Sequence, residues 1–294
     1  MKIAIIIPAH NEELFIHLTL DSLVQQSLAA TQIVVVDDNS TDRTFEIASS
    51  YSTSLPIKVV RTSSSAENIP GSKVIQAFNF GLSQIDLADF DIICKYDADL
   101  IFPSNYLEQI ATRFYAIPTG KKEGKTIGMV AGHCTILKEG HWEIENQNNP
   151  DHIRGALKAY RRECFQQIGG LQPSIGWDTV DEMLARFYGW TGVTIPELHV
   201  KHLKPTGAAY NAKSKYLQGE AFYKMRYGKL LTFITALKMA WNKKQFNLIT
   251  DYLKGYQLAQ KNNLAPLLTE EQGRFIRKYR WNGITSKLGF PSRN

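Results

Sequence analysis

The chain has 294 residues, of which 44% are apolar and 21% are charged, so it is long enough and apolar enough to form a substantial globular core. This composition excludes a disordered or a collagen-like chain. The formal net charge of +6 favours anionic partners such as nucleotides, phosphates or acidic lipid surfaces, and does not by itself indicate nucleic acid.

Cysteine usage and hydropathy limit the cellular compartments in which the protein is expected. Cys94, Cys134 and Cys164 lie far apart in apolar surroundings, which predicts buried free thiols in a reducing compartment. The apolar run at the amino terminus has the length of a strand and lacks the cleavage site of a signal peptide. No segment reaches the roughly 20 apolar residues of a spanning helix. We therefore expect a cytoplasmic protein, with the inner face of the membrane as its alternative location.

The first hundred residues alternate short β-branched runs with segments of helical spacing. Strands buried on both faces are predicted at KIAIIIPA, QIVVVDD, IKVVRT and DIICKYDAD. Helices are predicted between them, with starts at Asn11, at Ser40 or Thr41, and at Ser72. This βαβαβαβ order predicts a doubly wound α/β sheet.

The rhythm changes from about residue 128 onward. Strands are predicted at GMVAGHCTIL, GALKAYR and GVTIPELHVKHLK, and Pro196 in the last of these indicates an edge strand or a break. Helices are predicted at ECFQQIGG and DEMLARFYGW. After about residue 210 the pattern is helical, with many aromatic and basic residues.

Acidic and amide side chains follow three of the predicted strands, in PAHNEE, VVDDNSTDRT and YDADL. Each cluster alone could supply only helix caps and turns. Ligands of open α/β sheets, however, bind at the carboxyl ends of strands, and three acidic clusters there repel unless a cation or ligand hydrogen bonds compensate them. On an extended chain Asp97 and Asp99 would point to one side and offer two hard oxygen ligands to Mg²⁺ or Mn²⁺.

The segments IIIPAHNEE, VVVDDNSTDRT, GSKVIQAFNFGL and KYDADLIFP resemble the family 2 glycosyltransferases in their order and spacing. These are inverting enzymes of the GT-A fold that use nucleotide-activated sugars, and the resemblance covers roughly residues 1 to 205. It implies a Rossmann-like α/β fold with a mixed, mainly parallel sheet flanked by helices. It also implies a GT-A catalytic domain at 1–209, with a nucleotide-binding half at 1–100 and an acceptor half at 101–209, and a helical carboxyl-terminal extension at 210–294.

The same resemblance implies roles for individual residues. Asp97 and Asp99 would form the metal and diphosphate motif for Mg²⁺ or Mn²⁺, with Asp99 the closer ligand. His202, preferred to His199, would join the metal or the diphosphate, although a lone histidine in a strand is more often structural. The expected donor is a UDP-sugar. The nucleotide-sugar site would comprise Pro8, Ala9, Asn11, Glu12, Asp38, Lys73, Asn79 and Asp97.

Basic residues near these motifs allow two interpretations. They could neutralise phosphate or could be solvated, and the sequence does not rank them. They are Arg161, Arg162, Lys201 and Lys204.

The stretch GWDTVDEM places three acids beside a tryptophan. Family members often carry a Glu–Asp pair before this helix, whereas this chain has Trp177 followed by Asp178. Alignment backwards from YGW places Asp178 at the position of the catalytic aspartate, and the missing glutamate leaves Asp181 as the alternative base. A structural interpretation also exists, because an acid three residues before another acid is close to a capping box.

The last 85 residues carry no catalytic pattern. LLTFITALKMAW has apolar residues at 230, 233, 234, 237 and 241, with Lys229, Lys238, Lys243 and Lys244 around them. We expect this stripe to pack on the catalytic domain, and the alternative is a helix that lies on an anionic membrane surface. RFIRKYR near the end indicates a solvated basic face.

The sequence therefore predicts a metal-dependent inverting glycosyltransferase that moves a sugar from a nucleotide diphosphate donor to a hydroxyl of a glycan or glycolipid acceptor. Its expected role is in cell-surface polysaccharide or glycolipid synthesis. One alternative is a sugar-phosphate nucleotidyltransferase, although PAHNEE lacks the Gly-rich basic loop that such an enzyme would need. The other is a non-catalytic nucleotide-binding or membrane-associated module.

Overall fold

The computed structural model describes residues 1–63, 71–115, 126–145, 152–204, 215–287 and 289. These residues form a nine-stranded mixed sheet flanked by helices, in the order β3-β2-β1-β4-β8-β6-β9-β5, with β7 paired to β6. The strands are β1 (Ile3–Ala9), β2 (Gln32–Asp38), β3 (Ile57–Thr62), β4 (Ile92–Tyr96), β5 (Leu100–Ile101), β6 (Ile127–Lys138), β7 (His141–Ile144), β8 (Leu157–Arg161) and β9 (Thr191–His202).

The four amino-terminal strands pair in parallel, as their continuous apolar runs predict. Every residue of β1 is buried, because the sheet carries helices on its faces. The register pairs Ala9 with Asp37, and Asp38 with Thr62, so the polar ends of β1, β2 and β3 reach one edge of the sheet. The residues that follow these strands are thereby brought together.

The second half of the sheet is mixed. Strand β8 runs antiparallel to both β4 and β6, β9 runs parallel to β6, and β5 is antiparallel to β9. The prediction of an edge strand at Pro196 is wrong, since β9 lies between β6 and β5. The predicted break is confirmed: pairing with β6 shifts register between Thr194 and His199, where a proline cannot donate to the ladder.

The helices are α1 (Ile16–Val24), α2 (Thr44–Ser49), α3 (Ser72–Leu82), α4 (Tyr106–Tyr115), α5 (Arg162–Gln167), α6 (Trp177–Phe187), α7 (Leu217–Lys224), α8 (Lys229–Lys243), α9 (Asn247–Lys261) and α10 (Glu270–Lys287). The predicted start of α3 is confirmed. The starts predicted for α1 and α2 are wrong, because Asn11 and Ser40 lie in the loops that follow β1 and β2 and bond to each other.

The packing expected of the apolar stripe on α8 is wrong. Leu230, Phe233, Leu237 and Trp241 are 63%, 43%, 43% and 71% exposed. The helix packs through its other face, where Leu231, Thr232, Ala236 and Ala240 are buried. Helix α9 packs against α8, and the larger apolar residues of α8 are left on its exposed face. Across the described ranges, no helix has the length and apolarity needed to cross a membrane.

The three cysteines are buried and free, as predicted.

Candidate functional site

An open cleft of about 520 Å³ lies at the carboxyl ends of β1, β2 and β4. It extends from the β1–α1 loop to the start of α6 and the end of β9. Most of the residues predicted from the sequence line this cleft. They are Pro8, Ala9, Glu12, Asp38, Lys73, Asp97, Asp99, Asp178 and His202.

Asp97, Asp99 and His202 form a cluster of ligand-type side chains in the cleft. One ligand atom from each lies within 4.8 Å of the others. The Asp97–Asp99 segment lies in a turn between β4 and β5, so the extended conformation assumed from the sequence is wrong there. His202 reaches the turn because β5 pairs Leu100 with it. The cluster is thus assembled by a turn and a neighbouring strand.

His202 lies between two carboxylates. Its Nε2 is 3.5 Å from Asp99 Oδ2, and its Nδ1 is 3.2 Å from Glu145 Oε2. Burial lowers the pKa of His202, but the hydrogen bonds to Asp99 and Glu145 outweigh burial and raise its pKa to about 9. Arg154 donates to the same Glu145, at 3.0 Å. A protonated His202 therefore balances these carboxylates at neutral pH.

Two lysines complete the charge balance on this side of the cleft. Lys95 is buried in β4 and donates to Asp97 and, at 3.1 Å, to the carbonyl of Gly155. Lys204 forms an ion pair with Glu12 and is 42% exposed. Burial raises the pKa of Glu12, and its pair with Lys204 opposes that shift. Each carboxylate of the turn or of the β1–α1 loop therefore has a nearby cation.

Asn11 and Asn79, although predicted to bind the donor, are not among the cleft-lining residues. Asn11 adopts a positive φ of 54° and its Oδ1 accepts from the N–H of Thr41 at 2.9 Å, so it joins two loops. Asn79 donates to the carbonyl of Leu171 at 3.2 Å and anchors α3. Asp38 lines the cleft, and its carbonyl lies 2.7 Å from Nδ1 of His10.

Asp178 lies in the first turn of α6 and lines the cleft. The N-cap position of this helix is Gly176, and Asp178 lies inside the first turn, which removes the capping-box interpretation. Nε2 of His152 is 3.5 Å from Asp178 Oδ2. Burial raises the pKa of Asp178, but the hydrogen bond from His152 and the charge of Lys158 outweigh it and lower the pKa to about 2. Asp178 is therefore ionised at neutral pH.

Asp181 faces the interior and is 2% exposed. Nζ of Lys158 lies 2.8 Å from Oδ1 of Asp181 and 3.4 Å from Oε1 of Glu182. The hydroxyl of Tyr160 donates to Oδ2 of Asp181. Asp181 and Glu182 are not among the cleft-lining residues. The structure therefore places Asp178 in the cleft and Asp181 in a buried ion-pair network.

His152 connects these two groups of acids. Its Nδ1 is 3.0 Å from Oε1 of Glu182, opposite the contact with Asp178. Burial lowers the pKa of His152, but its hydrogen bonds to Asp178 and Glu182 outweigh burial and raise the pKa to about 9. The imidazolium thus holds the carboxylate of Asp178 in a fixed orientation.

Trp177 lines the cleft and is also close to the buried network. The ammonium groups of Lys95 and Lys158 each lie 5.4 Å from the centroid of its ring, within cation–π distance. Gly155 makes room for this ring, because a Cβ at that position would lie 2.8 Å from Trp177 Cζ2 and 3.3 Å from Asp178 Cβ. The position of Asp178 therefore depends on a glycine in the chain before β8.

The sequence interpretation missed five charged residues of the site: Lys95, Glu145, His152, Arg154 and Lys158. A signal existed for the two lysines, which interrupt the apolar strands IICKY and LKAYR. Lysine is almost never buried without a partner, so these positions indicate buried carboxylates nearby. The positions of Glu145, His152 and Arg154 depend on contacts with distant parts of the chain. These three residues therefore had no local signal in the sequence.

Residues 4–120 match the family model for glycosyl transferase family 2, which confirms the resemblance found in the sequence. The probable glycosyltransferase YdaM of Bacillus subtilis (strain 168) is 33% identical over 139 residues, 46% of this chain and 30% of that protein. The dolichol-phosphate mannosyltransferase of Pyrococcus furiosus is 35% identical over 112 residues, 37% of this chain and 29% of that protein. The matched segments thus span less than a third of these relatives.

Two solved structures support the fold. Staphylococcus aureus TarS 1–349 in complex with UDP-GlcNAc aligns with a TM-score of 0.57 at 18% identity, over 95% of this chain and 79% of that chain. The mannosyltransferase PcManGT from Pyrobaculum calidifontis, in complex with GDP-Man and Mn²⁺, aligns with a TM-score of 0.54 at 16% identity, over 98% and 80%. The GT-A-type α/β fold expected from the sequence is confirmed.

Proposed function

Because residues 4–120 form a family 2 glycosyl transferase region, we propose that this protein is a metal-dependent inverting glycosyltransferase that uses a nucleotide diphosphate sugar. One observation carries the proposal. A cluster of metal-ligand type, Asp97, Asp99 and His202, and an ionised carboxylate, Asp178, line the same cleft. The metal-ligand cluster suits the binding of a diphosphate with its cation, and Asp178 suits the role of proton acceptor.

The donor set fits Mg²⁺ or Mn²⁺. Two carboxylates and one imidazole are hard to borderline ligands, and their ligand atoms are already close together. The neighbouring thiol of Cys134 is a poorer candidate, because burial raises its pKa and keeps it protonated. His202 would bind the cation as a neutral imidazole after losing its proton. A bound cation would stabilise the negative charge of the departing diphosphate.

Asp178 would act as the general base. An acceptor hydroxyl loses its proton to the Asp178 carboxylate while its oxygen bonds to the anomeric carbon, and the bond from that carbon to the diphosphate oxygen breaks. This single displacement inverts the anomeric centre. His152 keeps Asp178 ionised and oriented before the reaction. Asp38, with Pro8 and Ala9, would hold the nucleoside, and Lys73 would contact the donor phosphates.

The donor and its setting are proposed from several lines. Structural neighbours are solved with UDP-GlcNAc, with UDP and with GDP-Man, which supports a nucleotide-sugar donor, and we favour a UDP-sugar. A glycan or glycolipid acceptor in cell-surface polysaccharide synthesis suits this class. In this proposal residues 1–209 form the catalytic domain, in halves 1–100 and 101–209, with residues 210–294 as the helical extension.

Peripheral membrane contact would come from the outer face of α8. Leu230, Phe233, Leu237 and Trp241 are exposed on it, and Lys229 and Lys243 lie at the two ends of the helix. Apolar area beside lysines favours an anionic lipid surface. This contact would place the protein at the inner face of the membrane, in line with the cytoplasmic location expected from the sequence.

Binding of UDP and GDP with and without Mn²⁺ tests the proposal. A nucleotide at a hundred times its dissociation constant should stabilise the protein by about 2.7 kcal/mol in a thermal-shift assay, and chelation should abolish the effect. Asp99→Ala should lose the metal-dependent part of binding measured by calorimetry. Asp89→Ala is the matched control, since Asp89 is an exposed acid outside the cleft.

Nucleotide binding that is indifferent to chelator and to Asp99→Ala would refute the metal assignment. Slow release of nucleotide diphosphate from a UDP-sugar by the purified protein separates a transferase from a non-catalytic module. Release of pyrophosphate from a nucleoside triphosphate and a sugar phosphate would instead identify a nucleotidyltransferase.

A further inference from the structure

A second cavity of about 660 Å³ lies between α6, α7, α8 and α10. Its walls are mainly apolar, with Phe222 and Met225 near α7, Leu231, Ile234 and Met239 on α8, and Ile284 on α10. Packing of α10 against α6 places this cavity, called here the helical chamber, beside the proposed catalytic domain. The chamber is large enough for part of a ligand of drug size.

The helical chamber meets the catalytic cleft at Asp178. This residue lines both cavities, and Gly176 and Thr179 on either side of it line the chamber. A molecule in the chamber can therefore present a hydroxyl to the proposed base, which also borders the cleft proposed for the donor.

The charged lining of the chamber is strongly asymmetric. Among the described residues that line it, Lys238, Arg280 and Lys287 supply three cations and Asp178 is the one acid. Nε of Arg280 is buried and has no hydrogen-bond partner in the part of the chain that the structure describes. A buried donor without a partner is costly unless a ligand satisfies it. The charge and the unpaired donor both favour an anionic group on the occupant.

The outer surface of α8 continues the apolar character of the chamber. Leu231, Ile234 and Met239 face the chamber, whereas Leu237 and Trp241 on the same helix are exposed to solvent. A helix that is apolar on two sides can contact a lipid surface with one side and cover a lipid chain with the other. The chamber would then lie next to the surface that supplies its ligand.

We propose that the helical chamber is the acceptor site and that the acceptor is an amphiphile with an apolar chain and an anionic head group, of the lipid-phosphate class. The apolar walls bind the chain, Arg280 with Lys238 and Lys287 binds the anionic group, and Asp178 receives the proton of the reacting hydroxyl. This assignment rests on the proposed function, because it uses Asp178 as the base of that reaction.

Dodecyl phosphate below its micelle concentration is a suitable probe, measured by calorimetry on the full chain. We expect saturable binding of one molecule per chain, at least about tenfold tighter than binding of dodecyl maltoside or of inorganic phosphate alone. UDP with Mn²⁺ should not displace it. Equal affinity for the neutral detergent, equal affinity for inorganic phosphate, or displacement by UDP would each overturn the proposal.

Gly283→Phe fills the chamber with little risk to the fold. Gly283 lies on α10 and lines the chamber, and a Cβ added there meets no atom within 4 Å. This variant should weaken dodecyl phosphate binding by at least about tenfold and leave the binding of UDP with Mn²⁺ unchanged. The outer face of α8 is untouched by it, so undiminished binding would show that the probe sits on that face and would overturn the assignment.

Arg280→Gln tests the head-group contact, with Lys278→Gln as its matched control. Lys278 is exposed on the same helix and does not line the chamber. We expect about tenfold weaker binding in Arg280→Gln and no change in Lys278→Gln. Equal weakening in the two variants would show that only general electrostatic attraction is involved, and would refute the contact between Arg280 and the anionic group. If the wild-type protein binds dodecyl phosphate but no nucleotide diphosphate, the proposed function fails and the occupant is not an acceptor.

Discussion

The molecule holds two groups of carboxylates that are balanced in different ways. Asp99 and Glu12 at the cleft pair with His202 and Lys204, whereas Asp181 and Glu182 on the buried side of α6 share Lys158. Lys204 is 42% exposed, while Lys158 is completely buried. A cation at the edge of the cleft can be displaced by a ligand with little change in the fold. If Lys158 were replaced by a neutral residue, two buried carboxylates would lose the cation that they share.

The difference indicates which acids are available for chemistry. A buried pair is costly to break because its remaining member is left without a partner in a poorly solvated place. We therefore infer a structural role for the buried group, whereas the cleft group could exchange its protein partners for the proposed donor and its cation. Asp178 lies at the boundary, in contact with His152 and open to the cleft. Five variants test this division.

The largest effect is expected from Asp178→Asn. Its amide cannot accept the acceptor proton, so turnover should fall by about 10²-fold to 10⁴-fold in a nucleotide-release assay. Stability should fall by about 1 to 3 kcal/mol, because the charged pairing with His152 is lost while the amide oxygen can still accept from Nε2 of His152. Asp181→Asn should show the reverse pattern, with a large loss of stability. An active Asp178→Asn beside a well-folded, inactive Asp181→Asn would move the base to Asp181.

Lys158→Met should cost about 3 to 5 kcal/mol of unfolding free energy, since Asp181 and Glu182 lose their shared cation. Denaturant unfolding followed by circular dichroism measures this change. Lys138→Met is the matched control, because Lys138 forms an exposed pair with Glu143 at 3.7 Å and should cost less than about 1 kcal/mol. Similar costs for the two variants would remove the distinction between the buried and the exposed acids.

His152→Gln should have an effect that depends on pH. The pKa of His152 is raised to about 9 from an ordinary value of 6.5, so its charged pairing stabilises the fold fully below pH 6.5 and is lost as pH rises through 9. The substitution should therefore cost about 1.5 to 3 kcal/mol at pH 6 and little at pH 10, by denaturant unfolding at each pH.

Comparison with wild type at each pH is needed, because His202 also has a pKa of about 9 and titrates in both proteins. His141→Gln in the exposed β7 strand is the control and should change stability by less than about 0.5 kcal/mol throughout. A destabilisation by His152→Gln that is constant from pH 6 to pH 10 would refute the charged pairing.

The smallest effect on stability is expected from Lys204→Met at the cleft. An exposed ion pair contributes at most about 1 kcal/mol, so the unfolding free energy should change by less than that amount. Affinity for a nucleotide diphosphate should nevertheless fall several-fold, because Lys204 lines the cleft proposed for the donor. A large loss of stability would place Lys204 with Lys158 among the structural cations.

The sequence predicted the amino-terminal half of the fold well, because buried parallel strands are continuous apolar runs whose carboxyl ends meet at one edge. The residues after β1, β2 and β4 do meet there, with Asp38 and Asp99 in one cleft. The sequence could not distinguish Asp178 from Asp181. Their different depths depend on Lys158 of β8, twenty residues earlier, and on the direction in which α6 leaves Gly176.

The orientation of α8 shows another limit of the sequence. Its larger apolar residues formed the clearest stripe, and the structure buries the smaller ones at Ala236 and Ala240 instead. Periodicity identifies a helix but does not say which of two apolar faces meets the protein. The chamber had no local signal either, since residues from Ile175 to Lys287, on four different helices and the segment before α6, enclose it.

Gly155 restricts which changes this site can accumulate. The Cβ of any side chain there would lie 2.8 Å from the ring of Trp177 and 3.3 Å from the Cβ of Asp178. Both residues are close to the cleft carboxylates and to the buried carboxylates. Even an alanine would have to move the indole that lies close to the ammonium groups of Lys95 and Lys158. In a mutational scan this solvent-accessible loop position should therefore tolerate replacement as poorly as a core residue. Substrate preference in homologous chains would have to diverge at other positions lining the cleft or the chamber, with glycine retained at 155.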